Sequence, residues 1–427
     1  MINFVHTADI HFGVENYGKI DPKTGIHTRL LDFERALNFC IDYTISQKAD
    51  FWIFAGDAYK TANPSPTQQK LLLRALLRLH AHHIPVIIIV GNHDHPLSFG
   101  KANALDLFGN LPIDGFYVVA KPQIIQLQTK SGPVQIVGIP WPTRNTVTIS
   151  NRFQYSSATE ITDQIAKTVG ELIAHFATQL NPNLPAVLGG HLTVSSGVFS
   201  GSEKRAIYGT DPVLLPSQLG ISPFDYVALG HLHRYQDLNT GKHPAIVYAG
   251  SIERVDFGER KETKGFCHVT IHDKQNTSHK FIPTPSRPFV QIDVTLEPEA
   301  QISTDTTPHT HQTWQILQAL KKHALKDAVV KIKYEIPAGE PDTVNLKTVQ
   351  QACSDAMHIV NIIGVHKPVT RPARTNLKTG SDLPTLLREY LQNKTEYQKR
   401  AEQLTELGLQ LAQELQEAAN ENENDAP

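Results

Sequence analysis

The chain is poor in cysteine, methionine and tryptophan, with three, two and three of them in 427 residues. Cys40, Cys267 and Cys353 lie far apart among apolar neighbours and form no Cys-x-x-Cys pair. That argues against a disulfide framework and for buried thiols. No apolar run is long enough to span a membrane, and the opening MINFVHTADIHFG has neither a charged leader nor a long apolar stretch. No signal peptide is therefore expected, and a reducing cytoplasm fits. An excess of charge of either sign is missing too: 40 Lys and Arg stand against 42 Asp and Glu, a net charge of −2. With no overall basic footprint, any binding of a polyanion must rest on local patches or on bound metal. Histidine, by contrast, is plentiful, with 21 residues.

Up to about residue 280 one theme repeats. A short apolar run ends abruptly in Gly, Asp, Asn or His, as in Ile2 to Ala8, Phe51 to Ala55, Val86 to Val90, Ala186 to Leu188 and Tyr226 to Leu229. Such runs read as strands buried on both faces. Between several of them lie stretches of helical spacing, Arg29 to Lys48, Pro66 to His83 and Thr159 to Leu180. Strands alternating with helices predict an α/β domain in which a layered sheet is covered by helices. Ligands then belong at the carboxyl ends of the strands.

The Pro-rich stretch 283–288 reads as a joint. After it, Phe289 to Leu296, Val330 to Ile336 and Ile359 to Val365 read as strands, and Thr313 to Leu325 and Leu346 to Met357 as helices. The division expected is a catalytic domain over 1–282, a small α+β unit over 283–368, a basic linker over 369–380, amphipathic helices over 381–418 and a disordered acidic tail over 419–427. Ser381-Asp382-Leu383-Pro384 is a helix start signal, and Tyr397, Leu404, Leu407, Leu411 and Leu415 form one apolar stripe.

The chemistry is concentrated in five pieces: Asp9-x-His11, Gly56-Asp57, Gly91-Asn92-His93-Asp94, Gly190-His191 and Gly230-His231-x-His233. Any one alone is weak, because a single strand-end histidine is more often a buried structural residue than a ligand. Five in succession, each leaving an apolar strand, reverse that reading and point to a metal site. Phosphodiester hydrolysis needs an activated water and neutralisation of charge on the transition state, which two divalent cations ~3.5–4 Å apart supply. Nitrogen and oxygen donors without thiolate favour manganese or iron, with zinc also accommodated. Alternate residues of a segment leaving a strand can face one side, so His231 and His233, like Asp9 and His11, can serve from one loop.

These motifs, in this order, resemble the calcineurin-type metallophosphoesterase family, and within it the nuclease branch that works in double-strand-break repair. The segment Tyr248 to Glu259, then Lys264-Gly265-Phe266, and His191 to Arg205 carry the finer likeness. The resemblance implies a layered metallophosphoesterase sandwich, mixed β-sheets flanked by helices, with a capping unit that helps hold DNA. It implies that Asp9, His11 and His233 bind one metal, that Asn92, His191 and His231 bind the other, and that Asp57 bridges. His93 would stabilise or protonate the leaving oxygen, with Asp94 orienting it or, alternatively, capping a turn. The metals would be two Mn2+ ions. The activities implied are 3′–5′ exonuclease on duplex ends and endonuclease on single strands or hairpins. The partners implied are DNA, a second copy of the chain meeting it at Pro66 to His83, and an SbcC-type coiled-coil ATPase docking on the C-terminal helices. The leucines of Pro66 to His83 also suit a core, and the C-terminal helices also suit packing on the chain's own cap.

One departure is Lys60, which stands where relatives often carry histidine three residues after the bridging aspartate. Lys60, Lys101, Arg144, Lys204 and Arg205 are candidate phosphate contacts, Lys60 and Arg205 foremost, with scattered solubilising charge as the plainer reading. Three rival functions remain open at this point. They are an exonuclease of the same family working without an ATPase, a small-molecule phosphodiesterase or phosphoprotein phosphatase, and a non-catalytic scaffold for DNA ends.

Overall fold

The computed structural model describes residues 1–95, 102–143, 157–201, 211–298, 310–368, 382–394 and 396–424. Two six-stranded sheets lie face to face. In the first, the order across the sheet is Asn276–Pro283, Gly265–Asp273, Ile2–Thr7, Phe51–Phe54, Val86–Ile89 and Phe116–Val119. The last four are parallel, and Gly265–Asp273 runs against Ile2–Thr7. In the second, the order is Gln236–Asp237, Ala245–Tyr248, Tyr226–Gly230, Ala186–His191, Gly132–Ile139 and Gln123–Thr129. Its four central strands are parallel and its two edges antiparallel.

Phe4, Phe51, Ile53, Ile87 and Ile89 of the first sheet meet Val134, Ile136, Val187, Tyr226 and Val247 of the second in one buried cluster between the layers. The outer face of the first sheet packs on the helices Thr28–Ser46 and Pro66–Ala81. That of the second packs on Ala158–Gln179. The result is the expected layered α/β sandwich. Central strands apolar on both faces are what two covered faces require. The edge strands Gln123–Thr129 and Asn276–Pro283 alternate buried and exposed residues and give no continuous apolar run.

Helix Pro66–Ala81 begins where Ser65 and Gln68 exchange side-chain to backbone hydrogen bonds, with Pro66 at the first helical position. Its Leu71, Leu72, Leu76 and Leu79 are buried in the chain's own core, and Leu77 is its exposed leucine.

Residues 289–366 build a separate three-stranded sheet from Phe289–Thr295, Val329–Ile336 and His358–His366, all parallel. The helices His311–Leu320 and Leu346–Ala352 contribute Ile316, Leu320 and Val349 to a core with Ile292, Val330, Ile332 and Tyr334. Both helices cover the same face. The joint before this unit is pinned by charge. Arg287 donates through Nε and Nη2 to the buried Asp32, which also receives Arg29 Nη1 at 2.7 Å. Arg254 Nη1 reaches Ser286 Oγ at 2.9 Å and Arg287 O at 2.8 Å, and Glu253 accepts from Arg287 N at 2.9 Å. The Arg29 guanidinium lies between the rings of Phe33 and Phe289, 5.2 and 5.1 Å from their centroids.

The C-terminal helices Leu383–Gln392 and Ala401–Asn424 pack on one another, and a short 3-10 turn over 398–400 precedes the second. Leu383, Tyr390, Leu407, Leu411 and Leu415 are exposed on them, and Tyr397 is exposed on the link between them. The second helix starts later than its apolar stripe suggested. It also runs six residues beyond 418, because Ala-Asn-Glu-Asn-Glu-Asn contains neither Gly nor Pro to stop it. No helix among the described residues is long and apolar enough to cross a membrane.

Candidate metal centre

The five motifs converge where parallel strands of both sheets end. Asp9 and His11 follow Ile2–Thr7, Asp57 follows Phe51–Phe54, Asn92 and His93 follow Val86–Ile89, His191 closes its own strand, and His231 and His233 follow Tyr226–Gly230. Asp9, His11, Asp57 and His231 all have positive φ, 51°, 51°, 60° and 102°. Non-glycine residues rarely hold that conformation, and it concentrates at functional sites. Here the backbone is held by bonds between motifs: Asp9 N and His11 N donate to Gly56 O and Asp57 O, both at 3.0 Å, and His231 N donates to Asp9 Oδ1 at 3.1 Å. Gly91 has no positive φ. It is required for close approach, since a Cβ there would stand 2.2 Å from Asp57 Oδ1 and 2.4 Å from Asp57 N.

The donor atoms form adjoining groups. Asp9, His11 and His233 bring ligand atoms within 4.8 Å of one another, and so do His11, Asp57 and His93, and Asp9, Asp57 and His191. His11 Nε2 lies 2.9 Å from His233 Nε2. Asn92 Oδ1 lies 2.8 Å from His191 Nε2 and 3.2 Å from His231 Nδ1. Asp57 Oδ2 stands between the groups, 3.6 Å from His11 Nε2 and 3.4 Å from His191 Nε2. Two donors each about 2.0–2.2 Å from one cation, at right angles, stand about 3 Å apart. Imidazole nitrogens 2.9 Å apart are therefore spaced as the edge of a coordination polyhedron, and the donor set fits divalent cations.

The outward ring nitrogens have partners of their own. His191 Nδ1 donates to Ala55 O at 2.7 Å, which leaves Nε2 for the centre. His231 Nε2 meets Asp211 Oδ2 at 3.2 Å, and His233 Nδ1 meets Glu259 Oε1 at 2.8 Å. His93 Nδ1 donates to the backbone carbonyl of Lys60 at 2.8 Å, so Nε2 is the nitrogen it can offer. His93 N also donates to Asp57 Oδ1, and the His93 ring meets that of His11 edge-on at 5.0 Å. His93 is exposed, unlike Asp9, His11, Asp57, His191, His231 and His233.

Asp94 does not orient the His93 ring, contrary to the first of the two readings of its role. Its buried carboxylate accepts from Asp57 N at 2.9 Å, Ala58 N at 3.0 Å, Tyr59 N at 3.2 Å and Gly91 N at 3.1 Å. It caps the turn that carries Asp57, the second reading.

The buried carboxylates and imidazoles shift one another's proton affinities. Burial alone would raise Asp57, but His191, His11 and His93 hold its carboxyl far below the ordinary range. Burial would lower His191, but Asp57 and Asp9 lift it to about 9. Burial and the neighbouring Asp57 raise Asp94 to about 6. Burial would raise Glu259, yet Lys264 and His233 hold it at about 2.

The Lys60 side chain is exposed at the rim. Lys101, Arg144, Lys204 and Arg205 lie outside the described residues. Sequence reasoning assigned no role to Glu259, Lys264 or Asp211. The first two fall in the segment singled out for its family likeness, while Asp211 carried no signal.

A family model of the calcineurin-like phosphoesterases matches residues 2–235. Among curated proteins, the SbcD component of the nuclease SbcCD from Staphylococcus epidermidis is 28% identical over 296 residues, covering 69% of this chain and 72% of its own. A dimetal phosphatase from Danio rerio, LOC 393393, aligns with a TM-score of 0.35 at 10% identity over 66% of this chain and 99% of its own. The protein TT1561 of Thermus thermophilus aligns with a TM-score of 0.34 at 10% identity over 66% of this chain and 98% of its own.

Proposed function

Since this chain belongs to the calcineurin-like phosphoesterase family, we propose that it is a two-metal phosphodiesterase whose substrate is DNA. The observation that carries the reading is the convergence of seven donor side chains, from five strand ends, on adjoining groups linked through Asp9 and Asp57. Bound divalent cations would supply an activated water and neutralise charge on the reacting phosphate. Asp9, His11 and His233 would hold one, Asn92, His191 and His231 the other, with Asp57 common to both; manganese suits this donor set. His93, exposed with its Nδ1 proton committed to Lys60 O, would present Nε2 to the phosphate and pass a proton to the leaving oxygen.

The choice of DNA rests on the likeness to the nuclease component of SbcCD. Exonuclease action on duplex ends from 3′ to 5′, with endonuclease action on single strands and hairpins, belongs to this proposal. So do the divisions 1–282 for catalysis, 283–368 for capping and DNA holding, and 381–418 for the partner. The exposed leucines and tyrosines of the two C-terminal helices and their link suit docking on the coiled coil of an SbcC-type ATPase. A dimer through Pro66–Ala81 would have to use its exposed surface around Leu77, because its other leucines are half-buried or core. The setting proposed is the cytoplasm.

The test uses end-labelled duplex DNA and bis(p-nitrophenyl) phosphate with manganese, magnesium or EDTA, beside His93→Ala. Manganese-dependent loss of nucleotides, abolished by EDTA and lowered about 100-fold or more in the variant, is expected. Hydrolysis of the small ester with no attack on DNA, alone or with the ATPase, would keep the phosphodiesterase and overturn the DNA substrate.

A further inference from the structure

Glu259 and Lys264 lie within the sandwich, at 0% and 1% exposure, and grip His233 from two sides. Glu259 Oε1 takes the Nδ1 proton of the ring at 2.8 Å, and Lys264 Nζ donates to the His233 carbonyl at 2.9 Å. The two grips are locked together, because Lys264 Nζ is 2.8 Å from Glu259 Oε2, which also accepts from Val255 N at 2.9 Å. A carboxylate only accepts, so the His233 proton sits on Nδ1 and Nε2 is turned to His11 Nε2, 2.9 Å away. A partner of this kind fixes the tautomer and the ring direction of a metal-binding histidine.

Glu259 stands at the end of the 3-10 turn Phe257–Glu259, which the Asp256 side chain caps through Gly258 N. The first residue of that turn points elsewhere. The Phe257 ring packs on Phe289 at 5.4 Å and on Tyr17 at 6.0 Å, and Lys331 Nζ lies over it at 5.8 Å. Phe289 and Val329, paired across the first two strands of the small sheet, share its cluster. A three-residue turn has little slack, so a shift of Phe257 carries Glu259 with it. The second donor group has supports of its own, Ala55 O for His191 and the Asp211 carboxylate for His231, and neither belongs to the 257–259 turn.

We infer that Glu259 is a positioning residue for His233, and that the Phe257–Glu259 turn couples the metal position served by His233 to the seating of the 289–366 unit on the sandwich. The inference rests on the two-metal reading above and adds to it an asymmetry: one cation position senses the cap and the other does not.

The experiment is a Mn2+ titration of the metal-stripped full chain, followed by the electron paramagnetic resonance of free and spin-coupled ions, which resolves two stepwise affinities. Glu259→Gln should weaken one of them about 10- to 100-fold and leave the other unchanged. The double variant E259Q/K264M removes both charges of the Glu259–Lys264 pair and leaves Glu262, which also accepts from Lys264, to water, so it should melt in EDTA closer to wild type than E259Q while showing at least the same binding defect. Phe257→Ala should weaken that same position by a smaller factor, with Phe257→Leu in its place if the alanine variant does not fold. Wild-type affinities in E259Q would overturn the positioning role. A wild-type profile in the Phe257 variant beside a defective E259Q would overturn the coupling. Equal weakening of both positions would indicate general loosening and overturn both. A wild-type chain that binds no manganese would instead strike the two-metal reading itself.

Discussion

Replacing Asp94 by asparagine should leave the fold nearly as stable and yet cost the protein both metal positions. Two terms oppose each other in stability. The amide keeps one acceptor oxygen and puts an NH2 where the other stood. If the NH2 takes the place of Oδ2, Asp57 N and Gly91 N are stranded; if it takes the place of Oδ1, Tyr59 N is stranded while Ala58 N keeps Oδ2 at 3.3 Å, at about 1–3 kcal/mol for each stranded group. Against this, the substitution removes a carboxylate that burial and Asp57 have displaced from 3.8 to about 6. That displacement corresponds to about 3 kcal/mol against the ionised form above pH 6. The balance is a destabilisation on the order of 1 kcal/mol, measured by urea unfolding in EDTA at pH 7.5. Function has no such offset. The stranded donors belong to the turn that aims Asp57, which stands between both donor groups, so both Mn2+ affinities should fall about 10- to 100-fold. If D94N binds two manganese ions as wild type does, the turn does not need its cap and the reasoning fails.

Other expected outcomes separate the remaining contacts. Gly91→Ala places a methyl against Asp57 backbone as well as its carboxylate, which cannot swing away, so it should destabilise by about 1–3 kcal/mol and abolish tight Mn2+ binding. Unfolding and titration at wild-type values would show that the loops separate easily. Lys60→Ala should leave hydrolysis of bis(p-nitrophenyl) phosphate unchanged, because the backbone carbonyl and not the amine holds His93; a large loss on the small ester would place the amine in the chemistry. His6, buried between the sheets against Tyr226 OH and Leu229 O, is lowered by burial to about 3. The unfolded chain takes up a proton below 6.5 that the folded core refuses. The stability His6 contributes is therefore present above pH 6.5 and shrinks as pH falls, by about 2 kcal/mol at pH 5. The stability difference between wild type and His6→Gln should narrow by that amount from pH 7.5 to 5.0 in urea unfolding; a constant difference would refute it.

The sandwich and the polar residues that gather at its strand ends could be read from the chain because both are written locally. A strand covered on both faces must be apolar throughout, so Phe51–Phe54 or Tyr226–Gly230 stands out, and the first polar residue after it marks the strand end. What could not be read depends on partners remote in sequence. Gln123–Thr129 and Asn276–Pro283 are edge strands whose polar residues meet solvent, and neither has the continuous run that marks the others. Asp94 sits beside His93 in sequence, but the N–H groups it binds belong mainly to residues 57–59, and only the folded chain brings them there. Asp211 comes to His231 in the same way, across 20 residues of sequence. The joint at 283–288 looked like a spacer from its prolines, whereas its one arginine, Arg287, is bonded to a buried aspartate 255 positions earlier.

That arginine has a consequence for anyone who would cut the chain. A fragment ending at 282 would lose Arg287 and Phe289 together. Asp32 would keep Arg29 and Arg35 but lose its bidentate partner, Glu253 would lose the Arg287 N–H, and one face of the Arg29 guanidinium would lie bare. Charges built to be dry would be left to find water. The small unit thus serves as counter-ion and lid to the sandwich's own interior. A fragment meant to keep the sandwich's interior intact has to include Arg287 and Phe289.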